Sequence, residues 1–383
     1  MKISKAFALF LRCNLIAFPL IVMSFIGIYA GHFLLREDNT EKAILKKSRE
    51  ENKRPLQILH TKTELKIGAN RQAINMLDID LSDTRIKVMP VLSRDSIFGF
   101  ERLSSIAERT RAYAAINGGF FYEYGEPAGI VVIDGKAVTD STGKYPVLII
   151  ENRQARLTEL DTEFFLLFEG GEIRLNNINA PGGYGSIVAY TPYYGSSNRE
   201  ENENITAVIE NNIVRDVSRK NGETLIPDDG MLLTMREPFA YETKDFPLKK
   251  GQSVELLYTP DLGRNAQAYE CGSWIVKEGK NVIKPRDNWI GAITNRSPRT
   301  AVGIKENGDL VLLTVDGRQP GHSTGVTGKE LGDLLLRYGI ENAAMLDGGA
   351  STEMIIDGKI VNSPSDDGME RPLGGGIIVR IEE

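Results

Sequence analysis

The stretch Asp309–Ser351, DLVLLTVDGRQPGHSTGVTGKELGDLLLRYGIENAAMLDGGAS, decides how the chain is read. Its apolar run Leu310–Val315 stops at Asp316-Gly317-Arg318, and a polar, Gly-rich loop leads on to Thr327-Gly328-Lys329-Glu330. A Thr followed three residues later by Glu is a capping box, in which both side chains satisfy free backbone donors at a helix start. Leu331, Leu334, Leu335 and Tyr338 then share one helix face, and Gly339 suits the left-handed residue that ends a helix. A second apolar run, Ala343–Leu346, stops at Asp347-Gly348-Gly349. Strand, helix, strand predicts a βαβ unit whose two strands run parallel. Asp316 and Asp347 should then emerge at one sheet edge, where open α/β sheets place their ligands. Adjacent strands lie ~5 Å apart and next-nearest ones ~10 Å, which brackets the carboxylate separations used in glycoside hydrolysis.

Working upstream, Arg299–Ile304 is a further apolar run, followed by Glu306-Asn307-Gly308-Asp309. A two-residue Asn-Gly turn would set Glu306 across from Asp309 and therefore Arg299 across from Asp316. A facing Arg and Asp is either an exposed salt bridge of little weight or a charge-assisted functional pair. The apolar strands between them favour the functional pair.

The rest of the chain is organised around this unit. Lys2, Lys5 and Arg12 precede an apolar segment from Cys13 to Gly31, and ~19 residues at 1.5 Å each just cross a bilayer core. Residues 1–35 are read as an N-terminal transmembrane signal-anchor, with the basic flank keeping the N-terminus cytoplasmic and the body outside. A cleaved leader, which would give a secreted protein, is the rival reading. Residues 36–56 are highly charged and read as a linker, and residues 57–383 as the exported domain. Strand patterns cover Gln57–Ile67, Ala73–Ile79 and Ile86–Leu92, and Leu103–Arg111 reads as a helix capped by Ser104 or Ser105. The middle, Thr162–Tyr269, carries short strands and reads as an elaboration of the same sheet system. A last strand spans Gly376–Ile381. The fold class expected is α+β, with a mixed, strand-rich sheet and a C-terminal βαβ unit.

A short local repeat runs through the domain. Asn117-Gly118-Gly119, Cys271-Gly272-Ser273 and Asp347-Gly348-Gly349 are each followed by an apolar run and an acidic-Gly turn at Asp134-Gly135, Glu278-Gly279 and Asp357-Gly358. Either three common hairpins coincide, or three Gly-rich turns line one cleft.

Composition narrows the chemistry. A net charge of −6 argues against nucleic acid as a partner. With only Cys13 and Cys271, and Cys13 in the leader, neither a disulfide nor a cysteine-rich metal site is expected. Zinc-peptidase, P-loop and serine-hydrolase motifs are absent. Carboxylates and loop oxygens could hold Ca²⁺ or Mg²⁺, but no EF-hand spacing supports a cation, and no cofactor is required. Gly348 and Gly349 let backbone amides approach a ligand. The glycines before Thr327 could present amides to a phosphate. His322 is either a proton carrier or a solvated loop histidine, and Arg371, beside Glu370, is either a second phosphate ligand or half of a surface ion pair.

Taken together, Asn117-Gly-Gly-Phe-Phe121, Tyr190-Thr-Pro-Tyr-Tyr-Gly195, Arg299-Thr-Ala-Val-Gly303, Val315-Asp-Gly-Arg318, Gly325-Val-Thr327, Leu346-Asp-Gly-Gly349 and Ser363-Pro-Ser-Asp-Asp-Gly368 with Glu370-Arg-Pro372 resemble the phosphodiester glycosidase family from about residue 60 to 380. The resemblance implies an α+β fold, hydrolysis of a sugar-1-phosphodiester, and an association of bacterial members with exopolysaccharide or envelope glycans. Position by position it implies a site of Asn117, Arg299, Asp316, Ser323, Thr327, Asp347, Ser351 and Arg371. The chain departs from the family at Cys271-Gly-Ser-Trp274, where a Gly-Gly-Gly-Pro-like turn is usual, and at Asp347-Gly-Gly-Ala-Ser-Thr352, where Asp-Gly-Gly-Gly-Ser-Ser is usual.

The expectation is an extracytoplasmic glycosidase acting on a glycan or sugar-phosphate substrate. Asp316, Asp347 and Arg299 would be catalytic, and Asn117, Gly118, Arg318, His322, Ser323, Thr327, Gly348, Gly349, Ser351 and Arg371 would bind substrate. The alternative from another class is a non-catalytic glycan-binding or envelope-assembly protein that kept the cleft.

Overall fold

Near-continuous apolar runs such as Leu310–Val315 arise when a strand is buried on both faces, and this chain builds its central sheet that way. The computed structural model describes residues 55–237 and 246–382. The anchor expected over residues 1–35, and the linker as far as residue 54, lie outside the described residues. Among those described, no helix is long and apolar enough to cross a membrane. Residues Gln57–Glu382 form one compact unit.

The strands that frame the site are β1 (Ile58–Ile67), β2 (Asn70–Ile79), β3 (Ile86–Leu92), β4 (Ala114–Asn117), β5 (Gln267–Glu270), β6 (Trp274–Lys277), β7 (Arg299–Lys305), β8 (Leu310–Val315), β9 (Ile340–Met345), β10 (Met354–Ile356) and β11 (Gly375–Ile381). The two α-helices described are α1 (Leu103–Thr110) and α2 (Gly328–Arg337). The central sheet runs β1-β2-β8-β7-β9-β6 and ends at Lys280–Asn281. A second sheet runs from Lys359–Ile360 through β10, β4 and β11 to β3.

The βαβ unit forms as expected, with one addition. Strands β8 and β9 are parallel to each other, but β7 lies between them and pairs antiparallel with both. In β8, Val311, Leu313 and Val315 pack under Leu331, Leu334 and Leu335 of α2. Leu310 and Leu312 point to the opposite core, between this sheet and the second. Both capping-box bonds are present, with Thr327 accepting from the Glu330 amide and Glu330 accepting from the Thr327 amide. Gly339, at φ +75°, follows the helix in the left-handed conformation.

Three expectations need correction. The loop between β7 and β8 has three residues, not two: Lys305 pairs with Asp309, and Gly308 takes φ +91°. Asn-Gly here closes a turn with a bulge, so Arg299 pairs with Val315, one residue short of Asp316. A one-residue slip moves a side chain to the other face of the sheet, and Arg299 and Asp316 do not pair. The middle is also more independent than expected. It forms a three-stranded sheet of Glu163–Phe168, Gly171–Arg174 and Val254–Thr259 and a separate five-stranded one, over a hydrophobic cluster of its own. That five-stranded sheet carries a short parallel ladder, Asn177–Ile178 with Val188–Ala189. Finally, α1 begins without a serine cap; its N-cap is Arg102, and the Ser104 amide donates to Glu370 from a distant loop.

Candidate active site at the sheet edge

The three Gly-rich turns meet. The Asp347 amide donates to Gly118 O at 3.1 Å, Asn117 Nδ2 donates to Asp347 O at 2.7 Å, and the Gly272 amide donates to Met345 O at 2.6 Å. The turns after them, Asp134-Gly135, Glu278-Gly279 and Asp357-Gly358, all have positive φ at both residues, as type I′ hairpins require. The repeat is therefore a structural device that brings three turns to one place. Gly118 admits the close approach, since a Cβ there would lie 2.5 Å from the Tyr269 hydroxyl.

Asp347 follows β9 at this junction and is partly buried. Gly348 N donates to its Oδ1 at 2.9 Å. Burial pushes its pKa up, and the Ser351 hydroxyl, the Arg371 charge and the Gly348 amide push it back. Arg371 Nη1 in turn donates to Ser351 Oγ at 3.1 Å, and its guanidinium lies 5.5 Å from the Phe121 ring centre. On the other side, Arg318 reaches over the same turn, where a Cβ on Gly349 would lie 3.0 Å from its Nη2. Two exposed arginines thus flank the Asp347–Ser351 turn.

Asp316 has the opposite setting. It is 2% exposed and accepts four hydrogen bonds: from Asn362 Nδ2 at 3.1 Å, from the Ser363 amide at 3.0 and 3.1 Å to its two oxygens, and through Oδ2 from His322 Nε2 at 2.9 Å. The His322 side chain is 37% exposed. A buried carboxylate that accepts from Nε2–H fixes the ring and leaves Nδ1 as the proton acceptor, the logic of an Asp-oriented histidine. Asn362 also links the two acids, because its Nδ2 donates to Thr352 O at 3.1 Å, just past the Asp347 turn.

Several residues expected at the site spend their polar groups on bonds within the protein. Arg299 is 3% exposed, with Nε donating to Val326 O at 3.2 Å and Nη2 to Asn295 O at 3.1 Å. Burial and the neighbouring Arg318 charge lower its pKa, against the pull of Asp287. Ser323 is buried and donates to Asp316 O at 2.6 Å, which holds the loop rather than a ligand. Thr327 is spent on the capping box. Asn117 ties β4 to β7 and to the 347–353 turn, accepting from Thr300 Oγ1 at 2.9 Å and from the Glu353 amide at 3.2 Å.

Sequence reasoning missed five contributors. Asn362 and Ser363 seat Asp316, and Gln319 locks the two loops together through Ser363 Oγ, at 2.8 Å. Trp289 stacks on Phe120 at 5.8 Å between ring centres and meets Tyr122 edge-on at 5.7 Å, while buried Asp287 accepts from the Trp289 amide at 2.7 Å and from Ser273 Oγ. The departures Ser273 and Trp274 from the family pattern were the available signal for that wall. Among the described residues, no group of three or more His, Cys, Asp and Glu side chains is arranged to hold a metal ion.

The phosphodiester glycosidase family model covers residues 203–380, which include both acids, both flanking arginines and His322. A prophage-derived uncharacterized protein YomE of Bacillus subtilis is 38% identical over 110 residues, 29% of this chain and 16% of that protein. Bovine N-acetylglucosamine-1-phosphodiester alpha-N-acetylglucosaminidase is 41% identical over 70 residues, 18% of this chain and 13% of the enzyme. The chain thus spans under one-fifth of the length of either relative. A hypothetical protein from Synechocystis shares the fold, with a TM-score of 0.69 at 21% identity, covering 85% of this chain and 62% of that one.

Proposed function

We propose that the chain hydrolyses the glycosidic bond of a sugar-1-phosphodiester, with the reaction centred on Asp347. The observation that carries this reading is a pair of exposed guanidinium groups, Arg318 beside Gly349 and Arg371 on Ser351, at the turn that carries a partly buried carboxylate. Arginine forks suit phosphate oxygens, and the carboxylate of that turn suits an electron-poor anomeric carbon. In this reading exposed Arg318, and not the buried Arg299 that was expected to be catalytic, joins Arg371 on the phosphate.

The departing group is a phosphate monoester, whose second pKa of about 6 means that it leaves with little acid assistance once its charge is neutralised. Arg318 and Arg371 supply that neutralisation as the C–O bond breaks. Asp347 stabilises or captures the oxocarbenium-like carbon; burial raises its pKa above the ordinary carboxylate value, and Ser351, Arg371 and the Gly348 amide limit that rise. His322, oriented by Asp316, takes the proton from the attacking water. Phe120, Tyr122 and Trp289 wall the neighbouring space with aromatic faces of the kind that pack against a sugar ring.

The wider setting belongs to the same proposal. Residues 1–35 anchor the chain in the cell membrane with the domain outside the cytoplasm, where an envelope or exopolysaccharide glycan supplies the diester. The test is hydrolysis of a sugar-1-phosphodiester by the purified protein in ¹⁸O water. Release of sugar carrying the label supports the reading, whereas label in the phosphate means P–O cleavage and overturns it.

A further inference from the structure

A second acidic pair lies behind the arginines. Glu353, at the start of β10, is 1% exposed, and its carboxyl is hydrogen-bonded to that of Glu370. Two carboxyl groups in such contact cannot both be charged, so one proton lies between them. Its position follows from the other partners. Glu370 accepts from the Ser104 amide at 2.8 Å and from Ser104 Oγ at 2.6 Å, one bond to each oxygen, at the N-terminus of α1. Glu353 Oε1 has no hydrogen-bond partner. The charge therefore belongs on Glu370 and the proton on Glu353, because a buried oxygen without a partner costs less in a neutral acid than in an ion.

We propose that Glu353 and Glu370 share one proton, and that this proton latches the Arg371 loop over the Asp347 turn. The loop is held at one end by Gln319, whose Nε2 donates to Pro364 O at 3.2 Å, and at the other by the mutual backbone bonds of Glu101 and Leu373, at 3.0 and 2.8 Å. Between these ends Glu370 clamps it to α1, and the next residue, Arg371, reaches Ser351. Glu353 also donates its amide to Asn117 Oδ1, so the latch and the three-turn junction share a residue. Glu353 is thus a positioning residue that acts through Glu370 and Arg371, and its role rests on the reading of Asp347 and Arg371 given above.

The groups facing the pair from each packed element are few. Arg102, ahead of α1, is the cation acting on both carboxyls; α1 adds Ser104, β4 adds Asn117, and the loop adds Glu370 itself. Burial, then the hydrogen bond and charge of Glu370, push the Glu353 pKa up to about 9 against the pull of Arg102. Burial opposes the charge on Glu370, but the bonds from Glu353 and Ser104 outweigh it and hold that carboxyl below its ordinary value. A carboxyl whose pKa is raised in the folded state stabilises the fold at acid pH, and that contribution is lost as pH rises towards the folded value. The latch should therefore fail above about pH 9.

The test uses the full chain and its Glu353→Gln variant, which keeps a hydrogen-bond donor towards Glu370 but cannot ionise. Thermal midpoints measured from pH 5 to pH 10 should fall more steeply in the wild type than in E353Q. Turnover of a sugar-1-phosphodiester should drop about tenfold between pH 7.5 and pH 10 in the wild type, since one unit above its midpoint about one-eleventh of a group stays protonated. In E353Q the two rates should agree within about twofold. Carboxyl ¹³C NMR of the wild type labelled in glutamate, which needs no variant to fold, should show one glutamate titrating near pH 9. Parallel stability curves for the two proteins, or no glutamate titrating above pH 7, would overturn the latch. If neither protein turned over the diester, the hydrolase reading would fail while the stability and NMR arms still judged the shared proton.

Discussion

Two carboxylates stand at the ends of β8 and β9, delivered to one sheet edge by a single βαβ unit, and their surroundings differ sharply. Asp316 is almost fully buried, and its oxygens accept from Asn362, the Ser363 amide and His322. Asp347 is partly open, has one backbone donor on its carboxylate, and lies in a turn that two exposed arginines reach, Arg318 at Gly349 and Arg371 at Ser351. A carboxylate whose lone pairs are filled by the protein can orient a neighbour but has little left for a substrate. One held in place by charge, with oxygen to spare, can react. Chain position alone makes these two acids look equivalent; their hydrogen-bond partners assign them different work.

The largest effect that separates them is expected from Asp347→Asn, which should lower turnover of a sugar-1-phosphodiester by about 10⁴-fold while leaving thermal stability near that of the wild type. A comparable loss from Asp316→Asn with Asp347→Asn nearly silent would reverse the assignment. Next comes the dyad: His322→Ala should cost about 10²-fold, and Asp316→Asn combined with it should add little more, because the two act as one unit. Full additivity in that double-mutant cycle would break the dyad.

Arg371→Gln is expected to cost about tenfold in kcat/KM and to change the pH profile in a definite direction. Arg371 lowers the Asp347 pKa, so without it Asp347 ionises at higher pH and the acid limb of kcat/KM moves up. An unmoved limb would disconnect Arg371 from Asp347. The smallest effect sharpens the boundary of the site. Thr327→Ala should cost about 1 kcal/mol of stability through loss of its cap, with kcat and KM unchanged, as measured by thermal unfolding and steady-state kinetics.

The parts of the fold that were legible in the sequence are those set by local chemistry. The capping box at Thr327 and Glu330, the helix end at Gly339 and the acidic-Gly turns at 134, 278 and 357 all formed where neighbouring residues placed them. The apolar runs of β8 and β9 reported burial on both faces. The register between β7 and β8 failed for an equally local reason, since Asn307-Gly308 serves either a two-residue turn or a three-residue loop with a bulge, and one residue reverses the facing of Arg299. The seat of Asp316 was not legible, because Asn362 and Ser363 lie 46 and 47 residues downstream. The Glu353–Glu370 pair is hidden for the same reason, as each acid taken alone reads as ordinary surface charge.

The claim at the centre of this account is that Asp347, and not Asp316, carries the reaction at the sugar carbon. Its most direct test is a side-by-side measurement of wild-type and Asp347→Asn turnover on a sugar-1-phosphodiester in ¹⁸O water. The account predicts labelled free sugar from the wild type and a loss of about 10⁴-fold in the variant. Undiminished release of labelled sugar by Asp347→Asn would contradict it.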